Sequence, residues 1–395
     1  MDLKRARALL NEGGYTCVLC RGDVFYTATH RGVRPLVDWL DSGLNLRGFS
    51  AADKVVGRAT AFLYVLLGIR AVHALVMSSP AREVLEANGI TALCDREVSG
   101  IINRRGDGPC PFEEAVLGIT DPAQALKAIR KKQFAMRQPP EILRHTNGKA
   151  FDMDSIGLSG ASIAVYEDMV LKCEPQTEES ENHIAMLSWL DGRIPVPHIL
   201  ETVVQDGWRW TLMTRIRGEM ACSDAFRADP HRLVQVLAGA MRSLWQNDVT
   251  DCPVDQSPEA KLTRARKIVE AGQVDMSLVD PETFGEDGFS SPAELLGWLE
   301  EHKPAFEPVL THGDFCLPNV FLHDWKLTGF LDLGRAGMGD KWTDIAILWR
   351  TLRDNFGGHY GAAVPGFHPD ALFAALGIEK DEARLRYYLL MDELF

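Results

Sequence analysis

Polar and apolar residues interleave at helical spacing in the opening "MDLKRARALLNEGG", which predicts a short amphipathic helix. In "YTCVLCRGDVFYTATH" two apolar runs flank Arg21–Asp23, the pattern of a hairpin. "RPLVDWLDSG" predicts a short helix ended by Gly43. Residues 50–68, "SAADKVVGRATAFLYVLLG", read as one helix with Ser50 as N-cap and Gly68 as its stop. "RAVHALVMS" and "ITALCD" are apolar enough for buried strands, and "PAREVLEANG" between them is a helix with proline in its first turn. Alternating strands and helices predict an α/β layer fold. "DPAQALKAIRKKQFAMRQPPEI" is a basic helix running into Pro139–Pro140, and pattern and charge both change near 136. The boundary is therefore expected there, with domains 1–136 and 137–395.

The second region begins with strands in "SIGLSGASIAVYEDMVLKCE", then the helix "EESENHIAMLSWLDG", then two more strands in "RIPVPHILETVVQDGWRWTLMTRI". After Gly218 the pattern is mainly helical. A small β-rich lobe, about 140–217, followed by a larger helical lobe, about 218–395, predicts an α+β bilobal domain laid out as in protein kinases. Neither region carries an internal repeat.

Composition adds three exclusions. The 395 residues are 46% hydrophobic and 25% charged, as in ordinary globular proteins. No apolar run reaches the ~20 residues of a membrane span, and the N-terminal helix lacks a signal-peptide core, so a cytoplasmic protein with no membrane partner is expected. The net charge of −13 is concentrated after residue 136, while the first region is mildly basic. That distribution argues against a nucleic-acid ligand and suits a cationic small molecule. Eight cysteines are scattered. Cys17 and Cys20 form a C-x-x-C, but no second pair follows at zinc spacing, so reduced structural cysteines are expected.

The chemistry concentrates in "THGDFCLPNVFL" and the following "GFLDLG". Phosphoryl transfer needs a carboxylate near the attacking hydroxyl and metal ions held by hard oxygen ligands. Asp314, Asn319 five residues on, and Asp332 in the next strand supply those parts. His312 is expected to brace the loop. Asp340 and Asp344 are expected to serve as an N-cap and a core hydrogen-bond group.

With "VLKCE", "MLSWLDGRIPVP", "RGEMACSD", "HGDFCLPN", "FLDLGRAGMGDKWTDIA", "LRDN" and the terminal "RYYLLMDELF", residues from about 140 to 395 resemble the aminoglycoside 3′-phosphotransferases over their whole length. The terminal segment discriminates most, since choline and fructosamine kinases share the H-G-D-x-x-x-x-N motif without it. The resemblance implies ATP, possibly GTP, and Mg2+ as cofactors, with an aminoglycoside as substrate. It implies Asp314 as catalytic base, Asn319 and Asp332 as magnesium ligands, and Lys172 on the α- and β-phosphates. It places Ser159, Gly160 and Ser162 in the loop over the phosphates, and Met213, Thr214 and Ile216 in the hinge that holds adenine. It directs Arg335, Asp354, Asp392, Glu393 and the Phe395 carboxylate at the aminoglycoside, with Glu286 and Asp287 at the same acidic site. One departure concerns Lys172. The family places its glutamate partner six residues before Trp189, where this chain has His183. Glu179, one helical turn earlier, is expected to take over that pairing, with His183 as the alternative. Val170 stands where some members stack an aromatic on adenine.

Residues about 10–120, through "HRGVRPLVDWL", "AADKVVGRATAFLYVLLG" and "INRRGDGPCPFEEAV", resemble a small uncharacterised family with the cytidine-deaminase-like fold, a mixed sheet with helices. Deaminases hold zinc through H-x-E and P-C-x-x-C. Here Asp53–Lys54 and the single Cys110 stand instead, so zinc deamination is not expected. Arg34, Asp53, Lys54, Asn103 and Cys110 remain candidates for a ligand pocket at helix ends. Two other functions stay open: a kinase of another small hydroxylated metabolite, and a nucleotide-binding pseudokinase or sensor.

Overall fold

The structure, a computed structural model, describes residues 1–154, 160–284, 288–360 and 362–395. The chain divides into two compact units, Met1–Gln138 and Pro139–Phe395, two residues beyond the expected boundary.

The first unit runs α1 (Asp2–Glu12), β1 (Cys17–Arg21), β2 (Val24–Ala28), α2 (Arg34–Asp41), β3 (Ser50–Val56), α3 (Arg58–Leu66), β4 (Ala71–Ser78), α4 (Ser79–Ala87), β5 (Thr91–Val98), α5 (Pro111–Ala115) and α6 (Pro122–Arg137). Its sheet has the order β2-β1-β3-β4-β5. The β1–β2 hairpin is antiparallel, β1 pairs antiparallel with β3, and β3, β4 and β5 run parallel. One face packs against α2, α3, α4 and α6, and α1 covers part of the other with Ala6 and Leu10.

Residues 50–56 correct the sequence reading: they form a strand, and the helix starts only at Arg58. Tertiary pairing between β1 and β4 overrides the apparent N-cap at Ser50. Gly57 is the N-cap. A Cβ there would lie 2.3 Å from Glu113 Oε1, the atom that accepts the Ala59 N–H at 3.1 Å and so caps α3 from outside. The C-x-x-C is split by strand alternation. Cys17 enters the core under the helices, and Cys20 packs under α1 on the opposite face.

The second unit begins with α7 (Pro140–Thr146), β6 (Asp152–Asp154), β7 (Ser162–Val165), β8 (Met169–Pro175), α8 (Glu178–Leu190), β9 (Ile199–Gln205) and β10 (Trp208–Thr214). These strands form a sheet in the order β6-β7-β8-β10-β9, with every pairing antiparallel. Thr177 and Ser180 close a capping box at the start of α8. Then follow β11 (Glu219–Met220), α9 (Asp224–Arg227), α10 (Pro230–Trp245), β12 (Asp255–Gln256), α11 (Pro258–Glu270), α12 (Pro292–Glu301), β13 (Pro308–Thr311), β14 (Val320–His323), β15 (Lys326–Phe330), β16 (Gly337–Asp340), α13 (Lys341–Phe356), α14 (Ala371–Leu376) and α15 (Glu382–Asp392). Two small sheets, β11-β14-β15 and β12-β16-β13, sit within this helical part. Leu237, Met241, Leu310, Phe315, Phe330 and Ile345 share its core. The loops that leave β13 and β15 therefore stand on rigid supports. No helix among the described residues is long and apolar enough to cross a membrane.

Candidate active site

After β13 the chain turns through His312, Gly313 and Asp314. Gly313 has φ +80°, and a Cβ there would lie 1.8 Å from the Arg335 carbonyl oxygen. Only glycine lets these two loops meet backbone to backbone. The N–H groups of His312 and Gly313 each donate to the Asp344 carboxylate at 2.8 Å. Burial raises the Asp344 carboxyl, against His312 and those two bonds. His312 Nδ1 accepts the Asp314 N–H at 3.3 Å, so the imidazole braces the loop. Asp340 caps α13 through the Trp342 N–H and accepts Tyr388 Oη at 2.7 Å.

A 3₁₀ turn, Leu317–Asn319, brings Asn319 back onto Asp314. Its Nδ2 donates to Asp314 Oδ2 at 2.8 Å and to the Asp314 carbonyl at 3.1 Å. The Asn319 carbonyl accepts the Leu331 N–H at 2.9 Å, which sets Asp332 alongside. Asp332 lies in the left-handed region at φ +56°, a conformation that costs a non-glycine residue about 1 kcal/mol or more. Burial would raise its carboxyl, but the Lys172 ammonium holds it below the ordinary range.

Lys172 stands in β8 between Ile163 of β7 and Thr211 of β10. Its Nζ lies 2.9 Å from Glu174 Oε2 and 3.1 Å from Asp332 Oδ1. Burial lowers its pKa, and Asp332 and Glu174 more than restore it. The expected partners, Glu179 and His183, do not take this place. Gly334 has no Cβ, and one added there would meet Glu179 Cγ at 2.6 Å. Glu179 thus lies over that loop, 3.5 Å from Arg335 Nε. His183 is buried, and its Nδ1 accepts the Leu333 N–H at 3.1 Å. Burial and the nearby Lys172 lower its pKa to about 3, so the ring is neutral. Glu174 is missed by sequence reasoning. Its signal is the i, i+2 spacing from Lys172, which puts both side chains on one face of the strand.

Of the residues expected to hold adenine, Met213 and Thr214 end β10. Thr214 exchanges two 2.9 Å bonds with the His198 backbone. Ile216 packs against Gly329, where a Cβ would come within 2.8 Å. Gly160 is left-handed at φ +69°, and Ser162 opens β7. Ser159 lies outside the described residues, as do Glu286 and Asp287.

A cavity of about 350 Å³ is lined by Glu179, Lys261, Arg264, Arg335, Asp392 and Phe395, among others. Asp392 lies 3.5 Å from Arg335 NH1 and bonds Arg350. Glu393 accepts the Asp280 N–H at 2.8 Å and lies 3.6 Å from Arg350, so it does not line the cavity. Asp354 pairs with Arg353 at 2.8 Å and is also absent from its wall. Of the expected substrate residues the cavity wall brings together Arg335, Asp392 and Phe395, and it adds the cations Lys261, Arg264 and Lys267. Lys261, Arg264 and Arg350 were missed. The i, i+3 spacing of Lys261 and Arg264 in an N-capped helix was their only signal. Burial lowers Lys261 to about 8, against Asp392 and Asp344.

Residues 157–384, more than half the chain, match the model of the phosphotransferase enzyme family. The chain belongs to this family. It is 35% identical over 267 residues to an aminoglycoside 3′-phosphotransferase of Niallia circulans, covering 65% of this chain and 97% of that protein. Over 272 residues it is 32% identical to one of Enterococcus faecalis, covering 66% and 99%. Among solved structures, an aminoglycoside phosphotransferase from Streptomyces rimosus superposes with TM-score 0.53 at 27% identity, covering 64% of this chain and 96% of that one. In this phosphotransferase the matched span contains Lys172, Asp314, Asn319, Asp332 and Arg335.

Residues 5–133 match a domain of unknown function, DUF1893. The pocket candidates of this unit do not converge. Asp53 accepts Tyr64 Oη at 2.6 Å beside Cys17, and burial raises its carboxyl to about 6. Lys54 is exposed on β3 rather than at a helix end, and Arg34 pairs with Asp38. Asn103 caps a turn at Arg105–Gly106, and Cys110 is the N-cap of α5. A cavity in this unit is lined elsewhere, by Lys4, Arg7, His73, Arg82, Leu93 and Cys94, with Leu3.

Proposed function

We propose that this phosphotransferase moves the γ-phosphoryl group of ATP to the 3′-hydroxyl of an aminoglycoside, in the cytoplasm, and so confers resistance. The observation that carries the reading is the convergence of Asp314, Asn319, Asp332 and Lys172, in a chain that spans 97–99% of relatives named aminoglycoside 3′-phosphotransferases. Asp314 takes up the proton of the attacking hydroxyl. Lys172 meets the α- and β-phosphates, and the Met213–Ile216 segment holds the base. Asn319 and Asp332 fit Mg2+. Asn319 spends its Nδ2 on Asp314, which leaves its amide oxygen for a hard cation, and Asp332 uses one oxygen on Lys172. When bound there, Mg2+ neutralises charge on the β- and γ-phosphates. Glu179 and Asp392, which share a cavity wall with Phe395, meet the ammonium groups of the substrate.

The test is transfer of labelled phosphate from ATP or GTP to aminoglycosides, amino alcohols and sugars. Kanamycin-like acceptors should be labelled from ATP. Labelling of a non-aminoglycoside alone would select a metabolite kinase, and no transfer at all a sensor. A second reading, transfer to a 3″-hydroxyl, is favoured by 33% identity over 254 residues to a streptomycin 3″-kinase of Streptomyces griseus. Streptomycin belongs in the same panel.

Two further results are expected. Residues 139–395 alone should fold and transfer phosphate, because every proposed site residue lies there. An inactive, folded fragment rescued by adding 1–138 would show that the first unit completes the site. Glu179→Gln should raise KM for the aminoglycoside several-fold, since it removes a cavity-wall carboxylate worth up to ~1 kcal/mol per exposed ion pair. KM for ATP should not move. An equal rise in both would place Glu179 elsewhere in the mechanism.

A further inference from the structure

Lys172 has two carboxylate neighbours with different roles ahead of them. Asp332 Oδ1 lies 3.1 Å from its Nζ and Glu174 Oε2 2.9 Å. If Asp332 holds the metal and Lys172 meets phosphate, the Lys172–Asp332 pair opens when nucleotide arrives. Glu174 need not move. It stands two residues along the same strand, and its side chain is 14% exposed. Its other oxygen, Oε1, is buried with no hydrogen-bond partner among the described residues.

Helix α8 offers Lys172 no carboxylate. Glu178 lies 3.8 Å from Arg264, Glu179 3.5 Å from Arg335, and Glu181 bonds Arg209 and Gln176. What α8 does send inward is His183. Its Nδ1 accepts the N–H of Leu333, the residue that follows the left-handed Asp332. Without that acceptor a buried N–H would be left unpaired, and nothing else among the described contacts would hold the turn from this side.

We propose that Glu174 is the positioning residue for Lys172, an assignment that rests on the nucleotide reading above, and that α8 serves the site through His183, by holding the loop that carries Asp332. The task of aligning the lysine and the task of tying α8 to the metal loop are thus divided between two residues. Glu174 keeps the ammonium aimed into the site after Asp332 leaves it. His183 keeps Asp332 in its strained conformation.

Mg·ATP binding by calorimetry and steady-state kinetics on the full chain test this. Glu174→Gln keeps the shape and removes the charge. It should weaken Mg·ATP and raise KM for ATP by about tenfold, the scale of one charge-assisted hydrogen bond. KM for the aminoglycoside should stay put, and Glu174→Asp should fall between. Should Glu174→Gln fail to fold, Glu174→Asp decides by the same measure. Nucleotide binding that is unchanged in the Glu174 variants but weakened by Glu179→Gln overturns the assignment of Glu174. A wild-type chain that binds no nucleotide overturns the reading beneath it. His183→Ala should lower kcat and raise the Mg2+ concentration needed for half-maximal rate. His183→Asn, whose amide oxygen can accept the same N–H, should restore much of both. Alanine and wild type with equal Mg2+ dependence overturn the His183 half.

Discussion

Asp314→Ala should lose turnover by about a thousandfold, within the ~10²–10⁴ range of a general base, while Mg·ATP binding persists. The geometry separates the two quantities. Asp314 is bonded to Asn319 and not to Lys172 or Asp332, so its carboxylate is free to face the incoming hydroxyl. Truncation removes one of two bonds to Asn319 Nδ2. The other, to the Asp314 carbonyl at 3.1 Å, runs to the backbone and survives. Asn319 therefore keeps the place proposed for it as a metal ligand. Asp314→Asn, nearly isosteric but unable to take up the proton, should fall as far. Asp332→Ala should behave differently: it removes the carboxylate proposed to hold the metal, so nucleotide-dependent metal binding should go with the rate. Near-normal turnover in Asp314→Ala would remove the phosphotransfer mechanism assigned here.

The trio proposed for catalysis is legible in the sequence because it is local. Asp314 and Asn319 lie in the loop after β13 and Asp332 in the loop after β15, two residues past the strand in which the sequence places it, and their spacing is set by the short β14–β15 hairpin between them. The lysine is legible as a charge inside an apolar strand. Its partner is not, because Glu174, Glu179 and His183 all lie within reach along the chain. The choice depends on how α8 is rotated against Gly334 and Leu333, which are about 150 residues away. The cavity was misread for the same reason. Asp392 and Glu393 look like free acids at a chain end, yet Arg350 and Arg335, distant in sequence, already meet them. Residues 50–56 failed differently. "SAADKVV" has no decisive period, Ser50 resembles a cap, and only pairing with β1 and β4 makes it a strand.

A 3′-deoxy aminoglycoside should bind this phosphotransferase about as well as its parent and yield no phosphorylated product. On the proposed reading, affinity comes from ammonium groups meeting carboxylates such as Glu179 and Asp392, which line one cavity beside Arg335. One ring hydroxyl contributes little to that sum, since water competes for its hydrogen bonds. Turnover depends on that hydroxyl wholly. Gly313 and Arg335 touch backbone to backbone, so the loop bearing Asp314 is held at one edge of the cavity and cannot slide toward another ring position. With the hydroxyl gone, Asp314 has no proton to accept and the γ-phosphate has no nucleophile but water. The analogue should then inhibit competitively against kanamycin, with an inhibition constant near the parent's KM where KM reports binding. Equal phosphorylation of parent and analogue would move the reaction to another hydroxyl, the 3″ position first. Failure of the analogue to bind at all would mean that the 3′-hydroxyl, and not the ammonium pairing, supplies most of the recognition.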